Sequence, residues 1–205
     1  MSALATKRQE QARQTKQRIL DAAQVLIGEK GYLRVTVEEI AAAAGIGKGT
    51  MYHYFKGKED ILRYIERGKF EEAKAQVDTM AFASVSEKLR CFLSRWFACV
   101  EGDNLNLSKD WHRLAVDLKV PSAERRTHLD DDVDNLVRYL EEGIAAGEFS
   151  PDMPVEPIAR DIVFSMYGAS FYRCSAYTAF GLTAWSENFI RNALMLHIDP
   201  YRLKG

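Results

Sequence analysis

The sequence predicts an all-α protein, and two observations carry this prediction. Apolar residues recur at helical spacing along almost the whole chain, and no segment of strand length alternates apolar and polar residues between turn signals. Glycine and proline residues then divide the chain into about nine helical segments. We therefore expect helices alone to build the fold.

The first helix is predicted from about Thr15 to Lys30, because its apolar residues fall on one stripe, and Gly31 ends it. These residues are Ile19, Leu20, Ala23, Leu26 and Ile27. A second helix opens at Thr36, which forms a T-x-x-E capping box with Glu39, and it ends at Gly45.

The third helix is short, from Lys48 to Phe55, and the fourth starts near Lys58 and is long enough to connect two domains. Five further helices follow from capping residues and from breakers such as Pro121 and Gly147. They are expected at about Ser84–Val100, Leu107–Lys119, Pro121 to before Gly147, Val155–Cys174 and Thr183–Leu196.

The composition is that of an ordinary globular chain and excludes disordered and fibrous proteins. Hydrophobic residues make up 47% and charged residues 28% of the 205 residues. The longest mostly apolar stretch, Ile162 to Tyr172, is well below the ~20 residues that cross a bilayer, and no secretory signal is recognised. Three cysteines without a CxxC pair fit a reducing compartment, so we expect a cytoplasmic protein.

Charge is distributed unevenly along the chain. Residues 1–58 hold ten Lys and Arg against five Asp and Glu, a net charge of +5, whereas the remaining 147 residues carry −6. A basic segment joined to an acidic one indicates one part that meets a polyanion and another with a different task. A solvated basic face explains the charge alone equally well.

The first three helices have the order and the short GIG turn of a helix-turn-helix, whose last helix enters the DNA major groove. At about 100° per residue, Met51 and Phe55 fall on the core side of the third helix, and Gly49 and His53 on the opposite side. Lysines such as Lys48 bracket that open face, a combination suited to duplex DNA.

The run TVEEIAAAAGIGKGTMYHYFKGKEDIL resembles the signature of the TetR family of transcriptional regulators, and the resemblance extends from Ile19 to Leu62. It implies that Thr36 caps the second helix and binds a phosphate, that Tyr54 reaches the DNA backbone and that Lys58 grips a phosphate. The residues implied along the groove are Lys48, Gly49, Thr50, Tyr52 and His53. Family members commonly have polar caps where this chain has Gly47 and Gly57, and glycine is a looser cap.

Alternatives stay open for part of this site. Tyr52 and Tyr54 are also explained as packing aromatics, and the basic arm 1–14 either follows DNA or is disordered.

We expect residues 1–60 to form the helix-turn-helix domain and residues 61–205 a helical effector-binding and dimerisation domain.

The resemblance also implies a C-terminal pocket for a mostly apolar small molecule, although core packing explains any one aromatic residue. The candidates are Phe92, Trp96, Trp111, His112, Tyr139, Tyr167 and Phe171. Small residues beside large apolar ones in the last two helices indicate a two-fold interface between protomers, or packing within one chain. The candidates there are Met166, Ala169, Ser170, Trp185 and Phe189.

No motif of an enzyme, a nucleotide-binding loop or a metal site is recognised, so neither catalysis nor a cofactor is expected. The acidic run after His128 is typical of a helix start rather than of a metal site. The sequence predicts a homodimeric repressor that binds a roughly palindromic operator and that an effector releases. The alternative is a DNA-binding regulator without such an effector, controlled by a protein partner or acting as an activator.

Overall fold

Helices make up most of the backbone in the computed structural model, which describes residues 3–102, 105–116, 128–175 and 181–203. Within these ranges the helices are α1 (Ala3–Lys30), α2 (Val37–Ala43), α3 (Lys48–Tyr54), α4 (Lys58–Asp78), α5 (Val85–Gly102), α6 (Leu105–Val116), α7 (His128–Ala145), α8 (Val155–Ser175) and α9 (Leu182–His197). Two short 3-10 turns span Tyr32–Arg34 and Asp199–Tyr201. The all-α prediction is confirmed.

The helix bounds differ most from the sequence prediction at the N-terminus. There, α1 begins at Ala3 rather than at about Thr15. The added residues are rich in Ala, Gln, Lys and Arg, which favour helix without forming an apolar stripe. The helix start predicted at Pro121 lies outside the described residues.

The first compact unit comprises residues 3–68 and 105–116 of the described chain. Its core combines side chains of the first four helices with Leu107 of α6. The α6 carboxylate Asp110 accepts a hydrogen bond at 2.7 Å from the backbone N–H of Tyr32, in the 3-10 turn between α1 and α2. A helix distant in sequence therefore completes this core.

The second compact unit comprises residues 69–102, 128–175 and 181–203 of the described chain. Here α5 packs on α7 and α9, and α7 packs on α8. Ser84, near which this helix is expected to begin, caps α5, and its hydroxyl accepts a hydrogen bond from the N–H of Glu87 at 3.1 Å. The carboxylate of Glu148 adds a second cap by accepting from the N–H of Val85 at 2.6 Å.

An antiparallel bridge between Phe149 and Arg202 joins the turn after α7 to the last described residues. The N–H of Ser150 donates to the carbonyl of Tyr201 at 2.7 Å, and the N–H of Leu203 donates to the carbonyl of Glu148 at 2.9 Å. These bonds fix the turn that places Phe149 in the core. Across the described ranges, no helix combines the length and apolarity that a membrane span requires.

The contact between Gly143 and Phe149 generates a stability prediction. A Cβ at Gly143 would lie 2.3 Å from two ring carbons of Phe149, which is fully buried. Gly143→Ala must therefore displace the ring, and we expect it to lower the free energy of unfolding by about 1–3 kcal/mol. Urea unfolding at a fixed protomer concentration measures this change.

The matched control is Gly68→Ala, in the exposed middle of α4, where an added Cβ meets no atom within 4 Å. We expect this change to be neutral or to stabilise by up to about 1 kcal/mol, because alanine favours helix. Equal destabilisation by both substitutions would contradict the packing argument.

Candidate nucleic-acid interface

The capping box at the start of α2 is present as the sequence predicts. The N–H of Glu39 donates to Thr36 Oγ1 at 3.1 Å, and the N–H of Thr36 donates to Glu39 Oε2 at 2.8 Å. Lys30 lies 2.8 Å from the same carboxylate, and this bond, together with those from Thr36, lowers the pKa of Glu39 to about 2. Thr36 is therefore fixed at the exposed beginning of the helix.

The turn between α2 and α3 closes α2 with a Schellman motif. The N–H of Ile46 donates to the carbonyl of Ala41 at 3.0 Å, and the N–H of Gly45 donates to that of Ala42 at 3.1 Å. Gly45 has φ = 67°, in the left-handed region that favours glycine. The backbone then enters α3, with Ile46 against the core of the first unit.

Two buried side chains set the rotation of α3. Met51 is 0% and Phe55 is 1% exposed, whereas Tyr52 is 48% exposed. The other exposed residues of this helix are Lys48, Gly49, Thr50 and His53. This division confirms the faces that the helical wheel predicted and leaves a polar face of the helix-turn-helix open to solvent.

Tyr54 lies between the two faces. It is half-buried and packs against the core of the first unit, and its ring meets that of His53 edge-on with centroids 5.4 Å apart. A contact between Tyr54 and the DNA backbone stays a prediction.

The two predicted lysines are placed differently. Lys48 is exposed and pairs with Glu38 at 2.5 Å. A surface pair of this kind contributes little stability, so a phosphate can replace the carboxylate. Lys58 instead donates hydrogen bonds to the carbonyls of Tyr32 at 2.8 Å and Val35 at 3.1 Å. Its ammonium thus provides hydrogen-bond donors to two backbone carbonyls between α1 and α2.

The predicted pocket residues are divided between the two units. Phe92, Trp96 and Tyr139 are buried in the core of the second unit, and Tyr167 packs against them half-buried, its ring centroid 5.5 Å from that of Trp96. Trp111 packs against the first unit's core, and His112 lies on the same helix. Phe171 is exposed on α8.

One residue of the acidic run that follows His128, Asp132, lies inside the second unit. Asp132 of α7 is 4% exposed and accepts a hydrogen bond at 2.7 Å from the hydroxyl of Tyr167. Burial raises the pKa of Asp132 to about 8, against the opposing effect of the Tyr167 bond. Asp132 lies four residues before the buried Leu136, and this spacing places both on one face of the helix. That spacing indicates burial of Asp132, but the acidic residues around it favour an exposed helix start.

The predicted interface residues of α8 need correction. Met166, Ala169 and Ser170 are buried within their own protomer, so this face is not available to a partner. The exposed apolar residues are different ones: Phe164, Phe171 and Tyr172 on α8, and Leu196 on α9. Trp185 and Phe189 of α9 stack with ring centroids 4.8 Å apart and are half-buried.

Metal ligands are not clustered in the parts of the chain that the structure describes. No group of three or more His, Cys, Asp or Glu side chains is placed there to hold an ion.

Comparison with known proteins connects this geometry to one family. Residues 19–65 match the family model of bacterial regulatory proteins, tetR family. The chain is 33% identical over 157 residues to the fatty acid metabolism regulator protein of Bacillus subtilis, covering 71% of this chain and 76% of that one. It is 27% identical over 149 residues to the transcriptional repressor KstR2 of Mycobacterium tuberculosis, covering 70% and 74%.

Among solved structures, the chain is similar to the transcriptional regulator FadR from Bacillus subtilis in complex with stearoyl-CoA. The TM-score is 0.67 at 26% identity, and the match covers 86% of this chain and 96% of that one.

Two glycines of the helix-turn-helix have opposite expected effects on stability. Gly45→Ala forces a side chain into the left-handed region and should lower the free energy of unfolding by about 1–2 kcal/mol. Gly49→Ala, in the exposed first turn of α3 with no atom within 4 Å of the added Cβ, should be neutral or raise it by up to about 1 kcal/mol. Urea unfolding measures both, and a loss of similar size at Gly49 would contradict this account of the turn.

Proposed function

The chain belongs to the TetR family of bacterial regulatory proteins, and we propose that it is a repressor that binds a roughly palindromic operator as a homodimer. We further propose that a small, mostly apolar effector releases it from DNA. The exposed polar face of α3, set by the burial of Met51 and Phe55, is the observation that carries this proposal.

The roles proposed for these residues on DNA follow from the exposure and the existing contacts of each side chain. His53 and Tyr52 are exposed and offer hydrogen-bonding groups to base edges. Lys48 contributes charge to a phosphate, and the open backbone at Gly49 permits close approach. We retain Thr36, Tyr54 and Lys58 as phosphate contacts, and Lys58 also holds the turn beside α2.

Dimerisation is proposed through the exposed apolar residues of the last two helices. Phe164 and Phe171 lie seven residues apart, on one side of α8, and each is 53% exposed. Leu196 of α9 is 74% exposed. Aromatic and aliphatic side chains of this size are typical of the buried centre of a homodimer interface.

The effector proposed first is a long-chain acyl-CoA. The supporting observations are the sequence similarity to a fatty acid metabolism regulator and the structural similarity to a FadR that is in complex with stearoyl-CoA. The interior of the second unit is rich in aromatic side chains such as Phe92 and Trp96, which suit an acyl chain. Regulation by a protein partner, or activation instead of repression, is the alternative function.

The DNA proposal predicts different effects for two exposed residues of α3. With a duplex selected in vitro from a random pool, His53→Ala should cut the preference for that duplex over scrambled DNA by about tenfold, as expected when one base contact is lost. Lys48→Ala should weaken binding to both duplexes alike and make the salt dependence shallower by about 0.9 per phosphate contact. Fluorescence anisotropy over a salt series measures both quantities.

Arg90→Ala is the control, because Arg90 is an exposed cation of α5 in the second unit. It should leave affinity and salt dependence close to those of the unaltered protein. A uniform effect of His53→Ala on every duplex would contradict its proposed contact with bases, and failure to select any sequence would contradict the repressor proposal.

The effector proposal predicts that stearoyl-CoA releases the selected duplex and raises the melting temperature of the DNA-free protein. Coenzyme A and stearate, tested separately, should each act at least tenfold more weakly, since each supplies only part of the ligand. Anisotropy and thermal denaturation report the two effects. Release by none of a series of acyl chain lengths would favour the alternative function.

A further inference from the structure

Residues 7–14 of α1 form a helical segment that no other described part of the protein covers. Residues 7–14 are all exposed, and their sequence KRQEQARQ contains no apolar side chain larger than alanine. Helices in proteins gain most of their stability from packing one face against other elements. A helical segment without such a face indicates a partner that is itself polar.

One face of this segment carries cationic and amide groups and no carboxylate. At about 100° per residue, Lys7, Gln11, Gln14 and Thr15 lie within about 60° of Arg18. We call these five residues the arm stripe. The acid between them, Glu10, flanks the stripe, where its carboxylate pairs with Arg13 at 2.8 Å and accepts a hydrogen bond from the side-chain amide of Gln14 at 2.9 Å.

The arm stripe begins beside the helix-turn-helix. Arg18 Nη1 lies 3.8 Å from the position of a Cβ at Gly45, in the turn between α2 and α3. On the opposite face of α1, the ammonium of Lys16 lies 3.5 Å from the ring centroid of Tyr64 in α4. The protein therefore occupies the Lys16 face, and the stripe continues outward from the turn that leads into α3.

We propose that the arm stripe is a second DNA-binding surface, which binds phosphates next to those reached by α3. This inference rests on the proposed function, because it takes duplex DNA as the ligand of the first unit. The positive charge of the arm stripe indicates duplex DNA as its partner, since cationic and amide groups on one helix face can each bind a phosphate. Lys7 and Arg18 are about 16 Å apart along the helix, a reach of about five base pairs.

Phosphate contacts contribute affinity without sequence preference, which separates the arm stripe from α3. Lys7→Gln should therefore weaken binding to the selected duplex and to scrambled DNA by the same factor, roughly tenfold at 150 mM salt for a dimer with two arms. The slope of log affinity against log salt should become shallower by about 1.8, which is about 0.9 for each arm. Lys7→Arg should retain the slope of the unaltered protein.

Arg13→Gln is the matched control, since it removes the same charge from the same exposed helix but lies about 140° from Arg18. It should change affinity by less than twofold, with helix content checked by circular dichroism. Equal losses for Lys7→Gln and Arg13→Gln would overturn the proposal in favour of long-range attraction alone, and no loss for Lys7→Gln would also overturn it. Failure of the unaltered protein to select any duplex is a separate result, which counts against the repressor function.

Discussion

The burial of Met51 and Phe55 is the constraint on which the candidate DNA surface depends. A helix of seven residues makes only two turns, so two side chains held in the core determine its rotation. Tyr52 and His53 then face solvent, while Tyr54 lies at the border of the buried face. The residues that contact DNA in our proposal are therefore oriented by residues that do not.

Short helices in this unit are stabilised by their ends and by their neighbours. The seven residues of α2 are too few for a stable isolated helix, and the capping box and Schellman turn satisfy backbone groups at both ends. Lys58 has a comparable role for the chain before α2, where its ammonium holds two carbonyls. The contact of Lys58 with a DNA phosphate stays a prediction beside this role.

Local signals predicted the elements of the first unit well, because caps, turns and apolar stripes are written in neighbouring residues. They did not predict that α1 starts at Ala3, since the exposed residues 7–14 contain no apolar periodic pattern. They also did not predict that Met166 faces its own core, or that α6 joins the first unit. Such placements depend on which apolar faces meet in three dimensions, and a single sequence does not specify that pairing. The contacts proposed with DNA stay predictions.

The position of α6 has a consequence for the order in which the protein folds during synthesis. Leu107 belongs to the core of the first unit, and Asp110 holds the turn after α1, yet both follow α5 of the second unit along the chain. A ribosome that has released only α1 to α4 has therefore not yet supplied a complete first core. The first unit completes its core only after α6 emerges, once the whole of α5 has been made.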